Sequence, residues 1–275
     1  MKLAACVILY NPKKENIEHA LKLADIFDNV YLLDNSNKAQ DNLSSKHNIR
    51  YIPYFKNMGI AKALEDALQL AIQDKNDYLL TLDQDSVYPF DKHLQIKARL
   101  SKLNREKDAI YALTTNFDYE QNKNAPEKLV TFAITSGNFL DLGLMKKYDI
   151  HFPEELFIDF VDFEFNRRVL EHKLNIIQSY DYYIEHEIGN PLKKNILGIK
   201  FTCLNHSPIR YYYRFRNAYY LKHKYPQFYK KRSNKTLFVD KIKMKLFEDN
   251  KKEKSQMIKR GISDAKKGIL GEYRK

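Results

Sequence analysis

Two carboxylates stand two residues apart in Asp83-Gln84-Asp85, directly after the apolar run Tyr78–Leu82. Alternate side chains of an extended segment point the same way. Asp83 and Asp85 can therefore share one hard cation, which prefers oxygen ligands. Because ordinary turns often carry two such acids, the apolar run before them is what favours a metal site at the end of a strand.

A second group of acids comprises Asp159, Asp162 and Glu164. Glu164 and Arg168 are four residues apart, so they can form an ion pair on a helix. Asp162 has apolar neighbours, and a carboxylate in such surroundings is a candidate general base. The alternative is a surface helix with a network of ion pairs, which these residues alone favour slightly.

Two weaker signals involve a histidine and a glycine. His186 is a candidate metal ligand, although a lone histidine is more often structural. Gly59, in Asn57-x-Gly59, precedes a helical pattern and would let the backbone approach a phosphate at the helix N-terminus. The alternative is a simple helix entry. Neither GxGxxG nor GxxxxGK[ST] occurs, so dinucleotide and P-loop sites are not supported.

Apolar runs and helical patterns alternate through the first 115 residues. The runs that predict strands are Leu3–Tyr10, Val30–Leu33, Arg50–Pro53, Tyr78–Leu82 and Ala109–Leu113. The alternation predicts an α/β fold with a mostly parallel sheet and helices on both faces, in which ligands bind at the carboxyl ends of the strands. Polar residues fall at those ends, namely Asn11, Asp34, Asn35, Asp83 and Asp85.

The second half of the chain differs in pattern and charge. It predicts strands over Val130–Thr135 and Leu174–Ile184 and a helix over Phe160–His172. Residues 206–275 are rich in Tyr and Lys and predict helices; they carry 21 Lys and Arg against 6 Asp and Glu, a net charge of +15. The remaining residues carry 26 against 29, a net charge of −3. We therefore expect a domain over 1–205 and a basic, mainly helical region over 206–275.

Composition limits the class of protein. The 275 residues are 44% hydrophobic, enough for one large domain with a buried core. The N-terminal apolar run is too short to predict a secretory signal. The sequence has no apolar window of about 18 residues, so no membrane-spanning helix is expected. Cys6 and Cys203 cannot form a disulfide framework, which favours a reducing cytoplasm. The basic region favours a polyanionic partner, either a membrane surface or a nucleic acid, with a solvated tail as the alternative.

The order of these segments resembles family 2 glycosyltransferases of the GT-A fold, which is Rossmann-like. The segments that carry the resemblance are Tyr10-Asn11-Pro12, Leu33-Asp34-Asn35-Ser36, Asn57-x-Gly59-Ile60-Ala61, Leu82-Asp83-Gln84-Asp85-Ser86, Thr135-Ser136-Gly137-Asn138, 157–168 and His186-x-x-Gly189. Three segments are similar to the bacterial rhamnosyltransferase branch of this family. They are the Leu-Asp-Gln-Asp-Ser form at 82–86, Arg210-Tyr211-Tyr212-Tyr213 with Arg216-Asn217, and Lys259-Arg260-Gly261.

The resemblance implies a role for each matched residue. Nucleotide-sugar contacts are implied for Asn11, Pro12, Asp34, Asn35, Asn57, Gly59, Ala61, Asp83 and Gln84. Metal ligands are implied at Asp85 and His186, and the catalytic base at Asp162. Acceptor-side or neighbouring positions are implied at Ser136, Gly137, Asp159, Glu164 and Arg168. Many members carry Glu-Asp where this chain has Val161-Asp162, which leaves Asp159 as an alternative base.

The reaction implied is an inverting transfer of a sugar, with Mg²⁺ or Mn²⁺, onto a hydroxyl of a bacterial surface glycan or a lipid-linked saccharide. The expected donor is dTDP-rhamnose, with a UDP-hexose as the alternative. Acceptors of this branch are commonly lipid-linked, so we expect a cytoplasmic enzyme that is peripheral on the inner membrane face. Residues 237–247 would form the interfacial helix; a helix packed on the catalytic domain is the alternative.

Two other classes of protein fit less well. A nucleic-acid-binding protein would use the Tyr- and Arg-rich stretch 210–232 for stacking. No zinc or RNA-recognition signature supports it, and it leaves the acids at 83–85 and 159–164 unexplained. We therefore expect no nucleic-acid partner. A nucleotidyltransferase would normally carry a Gly- and Lys-rich phosphate loop near the N-terminus, which the sequence lacks.

Overall fold

The chain divides into two compact units, and a mixed parallel and antiparallel β-sheet dominates the first of them. The computed structural model describes residues 1–41, 43, 46–122, 127–186, 192–196, 199–203, 205–229 and 233–274. Unit 1 comprises Met1–Glu154 and Val161–Glu187, and unit 2 comprises Glu155–Phe160 and Ile188–Lys275. The division at residue 205, expected from the charge, stays a prediction.

The strands and helices of unit 1 follow the predicted alternation. Its strands are β1 (Leu3–Leu9), β2 (Asn29–Asp34), β3 (Ile49–Pro53), β4 (Tyr78–Asp83), β5 (Ser86–Val87), β6 (Asp108–Thr115), β7 (Lys128–Leu129), β8 (Asn138–Asp141) and β9 (Asn175–His186). Its α-helices are α1 (Lys14–Lys22), α2 (Ile60–Gln73), α3 (His93–Leu100), α4 (Asn116–Asn122), α5 (Leu142–Lys147) and α6 (Val161–Glu171). Short 3₁₀ turns lie at Leu23–Asp25, Phe90–Lys92 and Glu154–Leu156.

Strand β1 lies inside the sheet and is buried along its whole length. The strand order is β3-β2-β1-β4-β8-β6-β9-β5, and β7 also pairs with β9. The β3-β2-β1-β4 half is entirely parallel, β6 is parallel to β9, and β8 runs antiparallel between β4 and β6. A strand that is buried on both faces has a continuous apolar sequence, which explains the run in β1. The predicted, mostly parallel sheet is confirmed.

Helices cover the sheet through apolar stripes. Alternate β1 side chains, beginning at Leu3, pack in one core cluster with residues of α1 and α3. Helix α2 contacts β1, β2 and β4, and its buried stripe includes Ala63, Leu64, Ala67 and Leu68. The predicted helical spacing therefore identified the face of α2 that packs on the sheet.

The strand predicted over Val130–Thr135 is wrong. A strand begins at Asn138 instead, three residues after the end of the predicted range, and Thr81 and Ala112 both pair with that residue. Gly137 precedes it at φ 89°, a left-handed conformation that glycine adopts most readily. Its N–H donates to the Thr81 carbonyl, 2.7 Å away. The place between β4 and β6 is thus occupied by Asn138–Asp141.

Unit 2 contains a hairpin and a helical assembly. Its elements are β10 (Leu192–Ile196), β11 (Ile199–Cys203), α7 (Pro208–Lys224), α8 (Pro226–Tyr229), α9 (Ser233–Phe247) and α10 (Lys251–Lys266). Tyr211 and Phe215 of α7, Met244 of α9 and Ile258 of α10 share one buried apolar cluster. None of the helices in the described residues is long and apolar enough to cross a membrane.

Helices α7 and α10 approach closely at Gly261. A Cβ added to Gly261 would lie 2.5 Å from the Tyr212 carbonyl oxygen and 3.2 Å from the Arg216 nitrogen. Both are backbone atoms, so the contact is relieved only by moving one helix. The absence of a side chain at Gly261 therefore sets the distance between α7 and α10.

We expect Gly261→Ala to destabilise the protein by about 1–3 kcal/mol, because overpacking forces a backbone shift. Helix propensity by itself would give the opposite sign, a gain of about 1 kcal/mol. The measurement is thermal denaturation, with Gln256→Ala at an exposed position of the same helix as the control. An unchanged or raised Tm for Gly261→Ala would contradict the close contact.

Candidate functional site

The carboxyl ends of β1, β2 and β4 meet at one edge of the sheet. Leu9 of β1 pairs with Asp34 of β2, and Ile8 pairs with Asp83 of β4. Because the three strands are parallel, Asp34 and Asp83 lie on opposite sides of the end of β1. The sheet thus brings together the polar residues that the sequence placed at strand ends.

Asp34 is fully buried, and both of its carboxylate oxygens accept hydrogen bonds. The Ser36 N–H donates at 2.8 Å and the Tyr51 hydroxyl at 2.7 Å. Burial, together with the Asp34 carboxylate, raises the pKa of Tyr51 to about 12. The Tyr51 hydroxyl therefore keeps its proton and remains a donor to Asp34.

Asn35 connects the end of β2 to the loop before α2. Its amide oxygen accepts from the Met58 N–H at 2.8 Å, and its amide nitrogen donates to the Gly59 carbonyl at 3.3 Å. Gly59 has φ 85°, which favours glycine, and its N–H donates to the Asn57 side chain at 2.9 Å. Ala61 follows in the first turn of α2 and is fully buried. The described contacts of Asn35, Asn57 and Gly59 hold this loop against the sheet edge.

The Gln84 side chain forms two hydrogen bonds with the backbone just after β1. Its oxygen accepts from the Tyr10 N–H at 2.8 Å, and its nitrogen donates to the Tyr10 carbonyl at 3.3 Å. The Asn16 side chain donates to the Gln84 carbonyl at 3.0 Å. Asn11, just before Pro12, donates its N–H to the Ser36 hydroxyl at 2.7 Å. Hydrogen bonds thus tie together the three loops that follow β1, β2 and β4.

Asp83 and Asp85 are partly exposed at this edge. The Asp83 N–H donates to the Ser136 hydroxyl at 3.0 Å, and that hydroxyl donates to Ser86 at 2.8 Å. Ser136 is itself buried, so it and the neighbouring Gly137 anchor the Asp83 loop from the adjoining segment. Sequence patterns did not reveal this contact, because 53 residues separate its partners.

Strand pairing brings the backbone of His186 next to the metal-site candidate. His186 lies opposite Ser86, the residue after Asp85. The His186 side chain and Gly189 lie outside the described part of the structure. Among the described side chains, no group of three or more His, Cys, Asp or Glu residues could by itself hold a metal. Mg²⁺ commonly binds one or two carboxylates together with phosphate oxygens and water, so Asp83 and Asp85 fit a metal that binds with a diphosphate.

The second group of acids separates into residues with different surroundings. Both oxygens of Asp159 accept from the Arg210 guanidinium, at 2.6 and 3.0 Å. Asp162 is partly exposed in the first turn of α6, where its carboxylate accepts from the Phe163 N–H at 2.8 Å. Glu164 is fully buried and pairs with Arg168 at 3.2 Å, the i,i+4 pair expected from the spacing. Asp159 thus forms an ion pair with Arg210, and Asp162 lies in the first turn of α6.

The segment before α6 has an uncommon backbone. Phe157, Asp159 and Phe160 have φ of 65°, 65° and 64°. A residue other than glycine in this left-handed region costs on the order of 1–3 kcal/mol, so surrounding contacts must hold it there. Such strain often accompanies a functional site.

Comparison with known proteins decides the family. The model of glycosyl transferase family 2 matches residues 5–172, more than half of the chain. The chain belongs to glycosyl transferase family 2. The match begins within β1 and continues past the end of α6, so it includes the segments that carry Asp34, Asp83, Asp85 and Asp162.

Similar proteins support the family 2 assignment. The chain is 26% identical over 242 residues to the dTDP-rhamnosyl transferase RfbF of Shigella flexneri, covering 80% of this chain and 79% of that one. A structure of residues 1–349 of S. aureus TarS matches 98% of this chain and 72% of its own, with a TM-score of 0.50 and 16% identity. A structure of GalNAc-T7 with UDP, GalNAc and Mn²⁺ matches 98% and 57%, with a TM-score of 0.59 and 9% identity. The two structures show that the family 2 chain has the expected GT-A fold.

Several supporting residues of this family 2 site were not found from the sequence. Tyr51 and Asn16 act on residues distant in the chain, which no local pattern indicates. Ser36 could have been found, because an Asp side chain commonly accepts from the N–H two residues on.

Proposed function

We propose that this family 2 glycosyltransferase transfers rhamnose from dTDP-rhamnose to a hydroxyl of a surface glycan or lipid-linked saccharide, inverting the anomeric carbon. The observation that carries the donor is the similarity to a dTDP-rhamnosyl transferase over 80% of the chain. A UDP-hexose is the second candidate donor. The GalNAc-T7 structure contains UDP, but a likeness at 9% identity supports only the fold.

The donor would bind at the joined ends of β1, β2 and β4. Asp34 and Asn35 would position the nucleobase of the donor. The loop from Asn57 to Gly59 would lie near the ribose and diphosphate, where the N-terminus of α2 favours negative charge. Gln84, whose side chain is hydrogen-bonded to the Tyr10 backbone, would contribute to the donor site beside Asp83.

Asp85, with Asp83 and His186, would hold Mg²⁺ or Mn²⁺. The bound metal would offset the charge that develops on the departing diphosphate. These residues are few enough that diphosphate oxygens and water would complete the coordination. Metal binding and donor binding should therefore depend on each other.

Asp162 would act as the general base. It would take the proton from the acceptor hydroxyl while that oxygen forms a bond to the anomeric carbon. The bond from that carbon to the diphosphate oxygen would break on the opposite face, and the nucleotide diphosphate would leave with the electron pair. Asp159 is the weaker candidate, because Arg210 engages both of its oxygens.

Thermal denaturation with dTDP, UDP and GDP, each with and without Mg²⁺ or Mn²⁺, tests the donor site. We expect dTDP with metal to stabilise the protein most, by about 2.7 kcal/mol at 100 times its dissociation constant. Asp85→Ala should remove the metal-dependent part, and Asp91→Ala, an exposed carboxylate at 74% accessibility, should not. If no nucleotide stabilises the wild-type protein, the donor site is wrong, and a larger shift with UDP would favour the alternative donor.

Asp162→Asn should lower turnover by about 10²–10⁴-fold, the usual loss when a general base is removed. The probe is release of dTDP from dTDP-rhamnose with water as acceptor. Nucleotide-induced stabilisation should be unchanged, because the substitution leaves the donor site intact. Glu171→Gln, an exposed acid at the end of α6, serves as the control. Turnover equal to wild type in Asp162→Asn would exclude this residue as the base.

Peripheral membrane binding is the further part of the proposal. On α9, Met244 is fully buried in the cluster with α7 and α10, and Leu237 packs against the same cluster. Phe238, Val239, Ile242 and Leu246 are exposed instead. At about 100° per residue these four side chains occupy one arc, with Lys241 and Lys245 along one border and Lys243 along the other. An apolar arc bordered by lysines suits an anionic bilayer surface.

Co-sedimentation with vesicles tests this surface. We expect binding to phosphatidylcholine vesicles that contain phosphatidylglycerol, weaker binding in high salt, and little binding without the anionic lipid, because each Lys near the surface contributes about 1 kcal/mol. The double substitution Phe238→Ser and Leu246→Ser should abolish it. Leu94→Ser, an exposed leucine of α3 at 79% accessibility, is the control. Equal binding by the α9 variant would contradict the proposal.

A further inference from the structure

Residues 54–58 connect β3 to the start of α2, and both ends of this segment are hydrogen-bonded to the end of β2. The Tyr54 N–H donates to the Asp34 carbonyl at 2.9 Å. The Met58 N–H donates to the Asn35 side chain at 2.8 Å. The segment is therefore fixed beside the two consecutive residues that would position the nucleobase.

Phe55 lies within this segment, and neither packing nor turn formation explains a phenylalanine there. Its side chain is 62% exposed, so the ring gains little from burial. Its φ of 58° is in the left-handed region, which favours glycine and strains a bulky residue. Among the described residues, Phe55 alone combines such a φ with a large exposed hydrophobic side chain. Strain of this kind is commonly retained where it serves function.

The nucleobases of the two candidate donors differ in one apolar group. Thymine carries a methyl group at C5, where uracil carries hydrogen, and the hydrogen-bonding groups of the two bases are the same. The polar side chains of Asp34 and Asn35 therefore cannot distinguish them. An apolar side chain such as phenylalanine recognises the thymine methyl group by direct contact. Contact with a group of this size typically discriminates by about 10- to 200-fold.

We propose that Phe55 is a specificity-determining residue, whose ring contacts the C5 methyl group of thymine and so favours a dTDP-linked donor over a UDP-linked one. The inference rests on the proposed donor site at Asp34 and Asn35. It supplies a physical basis for the choice between the two candidate donors. The left-handed backbone of Phe55, held by the hydrogen bonds of Tyr54 and Met58, keeps the ring outside the core and accessible to the base.

The nucleotides dTDP and dUDP test the inference, because both contain deoxyribose and they differ only in the C5 methyl group. Their dissociation constants are measured by titration calorimetry with Mg²⁺ and again with Mn²⁺. We expect the wild-type protein to bind dTDP at least about 10-fold more tightly than dUDP. In Phe55→Ala the dissociation constant of dTDP should rise about 10-fold and approach that of dUDP, because the contact with the methyl group is lost.

Phe55→Gly separates recognition from folding. Glycine adopts the left-handed conformation without strain, so the Tm of this variant without nucleotide should equal or exceed that of wild type. Its preference for dTDP over dUDP should nevertheless be lost. Phe132→Ala is the matched control, because Phe132 is another exposed phenylalanine of unit 1, at 46% accessibility. This control should retain the wild-type preference for dTDP.

The possible failures are separable. An unchanged preference for dTDP in both Phe55 variants would overturn the inference, and so would equal or tighter binding of dUDP by the wild-type protein. A lower Tm of Phe55→Gly, with equal weakening of both nucleotides, would show that the residue acts on the fold and not on the base. If neither nucleotide binds the wild-type protein with metal, the proposed donor site is itself wrong, and the inference fails with it.

Discussion

The parallel pairing of β1 with β2 on one side and β4 on the other is the constraint on which the candidate site depends. Parallel strands end at the same edge, so the residues that follow them meet although they are far apart in sequence. The pairing by itself leaves the loops free to diverge. The hydrogen bonds of Gln84 with Tyr10, and of Asn11 with Ser36, join them. The geometry of the candidate site is therefore a property of the sheet and of these few contacts together.

Buried polar groups help to fix this geometry, because their hydrogen bonds can all form in only one arrangement of the segments. Asp34 and Asn35 lie in the interior, where an unmet hydrogen bond costs about 1–3 kcal/mol. Each has partners on a second segment, so a shift of either segment would leave a buried donor or acceptor unpaired. The same logic holds in unit 2, where the Asn217 side chain donates to three carbonyls of the segment Glu155–Phe160.

Sequence periodicity succeeds where one face of an element is apolar and fails where two faces are. The stripe on α2 identified its buried side correctly. Helix α9 carries apolar residues on opposite sides, with Met244 buried and Phe238 exposed, so no single stripe indicates how it packs. The strand predicted over Val130–Thr135 was wrong for a different reason. Its apolar and polar residues alternate only weakly, and Asn138–Asp141 occupies the place in the sheet between β4 and β6.

The sequence alone determined the βα alternation, the strand-end positions of Asp34, Asp83 and Asp85, the helix that carries Asp162, and the family. These follow from local patterns, since strand and helix periods and turn residues are written in neighbouring positions. Only the tertiary structure decided that Arg210 engages Asp159, that Gln84 holds Tyr10, and that Gly261 sets the approach of α7 to α10. Such contacts join residues tens of positions apart. Their geometry exists only after the chain has folded and excluded water from between them.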